Sequence, residues 1–382
     1  MPELPEVETI ARDLRGLVTG AQITGARSNW AATLRSHDAA TFGNDIAGRE
    51  IEGVGRRGKQ LLIWLAPKAG AAAGDAAATG DAAVQGLAAP GPAVLTVHLK
   101  MTGQLFVIPA ETPQDRHVHL ALALADGREI RFRDIRKFGR VGLYRRDPDT
   151  GLPLEGEAVG VLAAGAEPLA DEFTARHFAD ILGRRRGRIK TLLMNQDFLA
   201  GVGNIYADEA LWRARIHPLR DAHTLRPDDA RRLHAALRDV LAEAVERRGS
   251  SVDDYTAPEG DGSMQEHLAV YQRAGDSCLR CGRPIRRIVV GGRSTHFCGW
   301  CQRLPAAPRG SVEATQTRSR GPRWTELSGV GVLGRTADEE AGVLARAEER
   351  RRRTAATRAA AAARRAAARA GTTTDHSAGG PG

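Results

Sequence analysis

Cysteine is scarce in this chain: its 382 residues hold four, all between positions 278 and 301, and nothing indicates an oxidising compartment. Long apolar runs are missing. No stretch approaches 18 uninterrupted apolar residues, which excludes a membrane-spanning helix. The N-terminus is rich in Pro and Glu rather than basic then apolar, so no secretory signal peptide is expected. Large apolar side chains are nearly absent from residues 68–92, where Ala, Gly and Asp dominate; such a stretch cannot build a core and is expected to be a disordered insertion. Strong charge is also missing from most of the chain. The net charge is +9, but residues 305–382 carry 14 Arg against 8 acidic residues, so the first 304 hold a net of only +3. Any polyanion-binding surface in the folded part must therefore come from local clustering of charge.

What remains suits a soluble protein of two or three domains, with 42% hydrophobic residues to supply cores. After an opening helix, the first 150 residues read as short antiparallel strands, including Leu61 to Leu65, Val94 to Leu99 and His117 to Ala125. Asp126-Gly127 suits a tight turn into Ile130 to Arg133. From about 168 to 250 the pattern is helical; Leu233, Leu237, Val240, Leu241 and Val245 recur at helix spacing within Asp228 to Arg247. A cysteine module follows, and then a low-complexity tail that is either a solvated extension or a non-specific phosphate-binding arm.

Three local patterns carry chemistry. The first is Met1-Pro2-Glu3-Leu4-Pro5-Glu6. A small residue at position 2 favours removal of Met1, which frees the secondary amine of Pro2. An α-amino group titrates near pH 7.7 to 8.0, so about a tenth of it is neutral and nucleophilic at pH 7. Attack by such an amine on a sugar C1′ yields an iminium with no proton to lose, an electron sink able to drive elimination of phosphates. The alternative is purely structural: Pro5 begins a helix, Glu6 and Glu8 face its positive end, and Val7, Ile10, Leu14 and Leu17 form its apolar stripe. The second pattern is Cys278-Leu279-Arg280-Cys281 and Cys298-Gly299-Trp300-Cys301, separated by 16 residues. This spacing reads as a closed four-thiolate zinc site, with disulfide pairing as the competing reading. Between the pairs, Ile288 to Thr295 reads as two strands joined through Gly291-Gly292, with Arg293 at the tip. The third is Gly201-Val202-Gly203-Asn204-Ile205-Tyr206-Ala207, a glycine turn before a helix whose buried face is Ala207, Ala210, Leu211 and Ala214. Its amides can approach a ligand closely, most naturally a phosphate; equally, its glycines can serve packing.

In combination and in this order, these motifs resemble the formamidopyrimidine-DNA glycosylases over about residues 2 to 303. The resemblance implies an α+β protein: an antiparallel β-sandwich with a catalytic N-terminal helix, a helix-two-turn-helix domain, and a four-cysteine zinc hairpin. The expected boundaries are 2–150, 160–265 and 268–303, followed by a basic tail at 304–382. It further implies a bifunctional glycosylase and abasic-site lyase that removes oxidised purines from double-stranded DNA through a Pro2 Schiff base and β,δ-elimination. Glu3 serves as general acid and base and Glu6 belongs to the same site. Lys59, Arg293 and Asn204 hold phosphates near the lesion, and His117 contacts DNA. Met101, Arg136 and Phe138 fill the gap left by the everted nucleotide. Without the resemblance, Lys59 is a solvated loop lysine and Met101 and Phe138 are core residues. One structural zinc is implied, with no redox or nucleotide cofactor, as are a monomer and a bacterial, nucleoid-associated location in the cytoplasm.

Residues 250–255 and 262–265 resemble the loop that covers an everted oxidised purine, which favours this branch over glycosylases of the endonuclease VIII kind that prefer oxidised pyrimidines. A non-catalytic paralogue that binds damaged DNA would need Pro2 blocked or Glu3 lost, and both residues are intact. Three features depart from the pattern. Asp197 stands where many relatives carry lysine, Lys100 replaces a residue that is often Gly, and the 25-residue insertion at 68–92 is foreign.

Overall fold

The opening helix runs Leu4–Val18 (α1) in the computed structural model, which describes residues 1–68, 91–154, 157, 165–250 and 262–304. The insertion expected at 68–92 and the tail expected at 304–382 lie almost wholly outside the described residues. Glu6 in the first turn reaches back to accept the Glu3 backbone N–H at 2.8 Å, satisfying one of the amides that a helix start leaves without an intrahelical partner. The apolar stripe differs from expectation at one position: Leu17 is exposed, and Val18 is buried beside Val7, Ile10 and Leu14. Eleven residues make about three full turns, so Val18 returns to the azimuth of Val7 while Leu17 lies nearly a quarter-turn away.

Two antiparallel four-stranded sheets follow. One is ordered β1-β6-β7-β5, from Ile23–Ser28, Val118–Leu124, Arg128–Asp134 and Gly103–Pro109. The other is ordered β2-β3-β4-β8, from Ile51–Arg57, Gln60–Leu65, Ala93–His98 and Arg140–Arg145. A short helix, α2 (Ala39–Ile46), lies between β1 and β2 in sequence. Ile51, Leu61 and Ile63 from one sheet share a core with Leu120, Leu122 and Ile130 from the other, and Val7, Ile10, Leu14 and Val18 of α1 complete it. Each such side chain contributes about 1.5–3 kcal/mol on burial, so α1 is pinned to the sandwich along its length.

Helices α3 (Ala175–Gly183), α4 (Ile189–Leu193), α5 (Asn204–Arg213) and α6 (Pro227–Glu246) surround a second core. The five apolar residues expected on one face of α6 are all buried there. Leu4, the first residue of α1, belongs to this helical core, although its successors Val7 and Ile10 belong to the sandwich. The N-terminus is thereby held where the two cores meet. The chain ends its described part in a hairpin, β9 (Arg286–Val290) and β10 (Arg293–Phe297), paired Arg293 to Val290 across Gly291 and Gly292, both at positive φ. Among the described residues no helix is long and apolar enough to cross a membrane.

Candidate active site and nucleic-acid interface

Pro2 and Glu3 are buried behind an exposed Met1. The Leu4 amide donates to the Gly201 carbonyl at 3.0 Å, which brings the N-terminal segment against the glycine turn. Of the two readings that the sequence left open for this turn, phosphate approach and packing, the contacts of its glycines support packing. Its amides hold Glu3: the carboxylate accepts from Ile205 N at 3.0 Å and from Tyr206 N at 3.4 Å, at the positive end of α5. The glycines serve this packing. A Cβ on Gly203 would lie 2.3 Å from Glu3 Cδ, and one on Gly201, whose φ is +86°, would lie 2.7 Å from Leu4 Cβ. Glu6 is fully committed beside it, accepting from Tyr206 Oη at 2.5 Å, Ser250 N at 2.8 Å and Ser250 Oγ at 3.1 Å.

Burial raises the Glu3 pKa, opposed by Lys59 and by the two α5 amides and reinforced by Glu6. A buried carboxyl inclined to keep its proton is suited to general acid chemistry. Lys59 sits in the β2–β3 turn and is only 8% exposed, not a solvated loop lysine. Burial lowers its pKa, while Glu3 and Glu6 pull it up and Arg293 and Lys100 push it down. Those mutual influences place Glu3, Glu6, Lys59 and Arg293 in one electrostatic neighbourhood. The Lys59 turn is fixed from outside the sandwich: Glu167 accepts from Gly58 N at 2.5 Å and from Arg56 at 2.7 Å, and Arg56 also bonds Glu8 of α1 at 2.9 Å.

Helix α5 organises the zinc hairpin as well as Glu3. Asn204 Nδ2 donates to the Ser294 carbonyl at 3.0 Å, beside Arg293. One turn on, Asp208 accepts from His296 N at 2.9 Å and pairs with Lys190 at 2.5 Å, both side chains fully buried. Glu209 accepts three successive amides, Ala269, Val270 and Tyr271, at 2.8 to 2.9 Å, tying down the chain that enters the cysteine module. Sequence reading missed Lys190, Asp208, Glu209, Glu167 and Tyr206. For Asp208 and Glu209 the available signal was a pair of adjacent carboxylates in a helix whose buried residues are otherwise Ile205, Tyr206, Ala207, Ala210 and Leu211.

The four cysteine sulfurs lie within 4.8 Å of one another, and Cys281 and Cys298 approach to 3.5 Å. That is well beyond a bonded S–S length of about 2.05 Å, so the disulfide reading fails. It suits thiolates that each sit about 2.3 Å from a central zinc. Burial and the adjacent thiols push Cys301 up to about 12, a cost of crowding that a divalent cation removes. Four thiolates complete a tetrahedron, so zinc here has a structural place and no open position for water.

A second group of residues gathers around Asp134, which is fully buried. Its carboxylate accepts from Thr102 Oγ1 at 2.5 Å, Arg136 N at 3.2 Å and Gly139 N at 2.7 Å. Two loops, 100–103 and 135–139, are thereby clamped together, and Arg136 Nη1 lies 3.3 Å from Met101 Sδ. Met101 and Phe138 are 40% and 51% exposed, which rules out the core reading. His117 is half-buried and joins this group through its backbone, its carbonyl accepting from Asp134 N at 2.9 Å. Trp30 stands nearby with the Lys137 ammonium 4.0 Å from its ring centre. Exposed apolar and aromatic tips on a rigid base match the wedges of proteins that kink DNA.

A β-sandwich and a helical domain that share their N-terminal helix, two buried carboxylates behind Pro2, and a cation-tipped thiolate hairpin define the class of helix-two-turn-helix DNA glycosylases. Comparison with known proteins agrees. Residues 1–141 match the formamidopyrimidine-DNA glycosylase N-terminal domain, 164–256 its H2TH domain and 275–304 the zinc finger found in FPG and IleRS. The formamidopyrimidine-DNA glycosylase of Herpetosiphon aurantiacus is 43% identical over 304 residues, covering 79% of this chain and all of that protein. That of Chloroflexus aurantiacus is 45% identical, covering 79% and 98%. Among solved structures, the MutM (FPG) protein of Thermus thermophilus is 41% identical with a TM-score of 0.62, covering 79% and 98%. A Lactococcus lactis FPG mutant, in complex with Fapy-dG-containing DNA, is 32% identical with a TM-score of 0.65, covering 79% and 100%. The chain belongs to the formamidopyrimidine-DNA glycosylase family, and is thus a base-excision DNA glycosylase.

Proposed function

We propose that this protein excises oxidised purines, 8-oxoguanine and formamidopyrimidines, from duplex DNA and then cleaves the strand at the resulting site. Loss of Met1 frees the Pro2 nitrogen, whose lone pair forms the N–C1′ bond as the glycosidic bond breaks; the base departs with its electron pair and takes up the proton that the Pro2 nitrogen sheds. Glu3 delivers a proton to the sugar ring oxygen, opening the ring to the iminium. Loss of a C2′ proton then expels the 3′ phosphate, a second elimination expels the 5′ phosphate, and water releases Pro2. Glu6 holds Glu3 in register through the Glu3 amide. Lys59, Arg293 and Asn204 hold the phosphates flanking the lesion. Eversion of the nucleotide costs a few kcal/mol, and Met101, Arg136 and Phe138 occupy the vacated stack, with His117 contacting DNA alongside. Zinc supplies hairpin rigidity alone, held by Cys278, Cys281, Cys298 and Cys301. The protein acts in this reading as a monomer at the nucleoid in a bacterial cytoplasm. Its catalytic domain spans 2–150, its helix-two-turn-helix domain 160–265 and its zinc finger 268–303.

The observation that carries this reading is the Glu3 carboxyl, buried, raised in pKa and locked onto the α5 amides directly beside Pro2. The Lactococcus lactis relative bound to Fapy-dG-containing DNA supports the lesion class. The test is borohydride trapping on a duplex carrying 8-oxoguanine opposite cytosine, with peptide mapping of the adduct. An adduct at Pro2 is expected. Binding without an adduct, when mass analysis shows Met1 removed, would transfer the assignment to pyrimidine lesions or to a non-catalytic binder.

A further inference from the structure

One end of the β2-β3-β4-β8 sheet carries more cations than the site above uses. Gln60 of β3 pairs with His98 of β4, and His98 pairs with Arg140 of β8. Beyond β8, Leu34 bridges Val141, and Arg35 N donates to the Val141 carbonyl at 2.8 Å. Register therefore brings Lys59, which precedes Gln60, Lys100, which follows His98 by two residues, Arg140 and Arg35 to the same sheet end. Arg140 is braced on the loop that carries Phe138, donating to the Gly139 carbonyl at 2.8 Å. Among the described residues no carboxylate forms an ion pair with Arg35, Lys100 or Arg140.

Lys100 is the informative member. Its φ is +55°, a left-handed conformation that disfavours any residue with a Cβ, and its amide donates to His98 Nδ1 at 3.0 Å. Burial, then Arg140 and Arg35, lower its pKa, so it is a half-buried cation facing two guanidiniums. Asp134 offsets part of the like-charge repulsion at Arg140, after burial and Arg35. An external anion bound here would offset the remaining repulsion. Resting on the DNA-glycosylase reading above, we propose that Lys100, Arg140 and Arg35, in that order, form a phosphate-binding row for the DNA backbone that continues from Lys59. Two strand spacings make the row about 10 Å long, against a rise of about 3.4 Å per nucleotide along one strand, so it can serve more than one phosphate. Guanidiniums at its far end suit phosphodiester oxygens because they donate two parallel hydrogen bonds.

The test is the salt dependence of binding by the full chain. Affinity for a duplex with a tetrahydrofuran abasic analogue is measured between about 50 and 200 mM KCl. Each lost phosphate contact lowers the slope of log K against log salt by about 0.9. Lys100→Gly and Lys100→Asn both tolerate the left-handed backbone, so neither is expected to lower the thermal midpoint. Each is expected to make the slope shallower by about one contact, as is Arg35→Gln. Unchanged slopes for folded Lys100→Gly and Lys100→Asn would overturn the row. Failure of the wild-type chain to bind the duplex at all would instead overturn the functional reading beneath it.

Discussion

The Glu3 carboxylate accepts the Ile205 amide at 3.0 Å across 202 residues of sequence. The N-terminus of α5, which elsewhere would suit a phosphate, is spent on orienting the candidate acid. Burial raises the Glu3 pKa above its ordinary 4.5, so the folded state binds the proton more tightly than the unfolded state. Ionised Glu3 therefore costs stability that is regained as pH falls through the raised pKa towards 4.5. Glu3→Gln mimics the protonated form. Its thermal midpoint is expected to exceed that of the wild type at pH 7, with the gap closing towards pH 4.5, while base excision is lost. A midpoint gap that does not vary with pH would contradict this account.

Tyr206 Oη donates to Glu6 at 2.5 Å in a buried site, and burial with the neighbouring Glu6 drives its own pKa well above 10. Tyr206→Phe keeps the ring packing and removes one hydrogen bond to a charged group, which is worth about 1.5–3 kcal/mol. Urea denaturation is expected to show a loss of that size with an unchanged m value. A loss below about 0.5 kcal/mol would mean that Glu6 is satisfied by Ser250 and Glu3 alone.

Thr102 and Asp134 join the two loops that present Met101, Arg136 and Phe138. Thr102→Val keeps the side-chain shape but leaves Asp134 short of one partner, at a cost of about 1–3 kcal/mol. Fluorescence of 2-aminopurine placed opposite the lesion should fall, because a loosened wedge unstacks the duplex less. Thr102→Ser, which restores the hydroxyl, should recover the signal; equal signals for the Val and Ser variants would show that the clamp does not set the wedge.

Removal of zinc from the four thiolates should release one ion per chain and free the hairpin, since α5 otherwise holds it mainly through Asn204 and Asp208. Hydrogen exchange at β9 and β10 should then accelerate, while the sandwich strands keep their protection. Acceleration spread over both sheets would point to a global rather than a local role for the metal.

Asp197 is exposed in the loop before the glycine turn, at a position where the family resemblance leads one to expect lysine. Asp197→Lys is expected to strengthen binding to lesion duplexes and to steepen the salt slope by roughly 0.9 per phosphate gained. No change in slope would place Asp197 outside the DNA footprint.

Much of this protein was legible without coordinates because the signals are local. The α6 stripe, the cysteine spacing with its glycine turn, and the Pro-Glu start each follow from helix period, ligand geometry or covalent chemistry over a few residues. Errors arose where partner choice is long-range. Whether Val18 or Leu17 closes the α1 stripe depends on small differences in azimuth, and Lys59 looks like a loop lysine until α1 and Glu167 bury its turn. Gly203 reads equally as a phosphate-approach or a packing glycine, because sequence cannot show that the group lying against it is Glu3, already present in the chain. Local pattern was thus enough for the family, the two cores and the thiolate hairpin. What the α5 amides bind, which carboxylate clamps the wedge loops, and where the cations of the sheet end line up emerged with the folded chain, since these depend on contacts between segments tens to hundreds of residues apart.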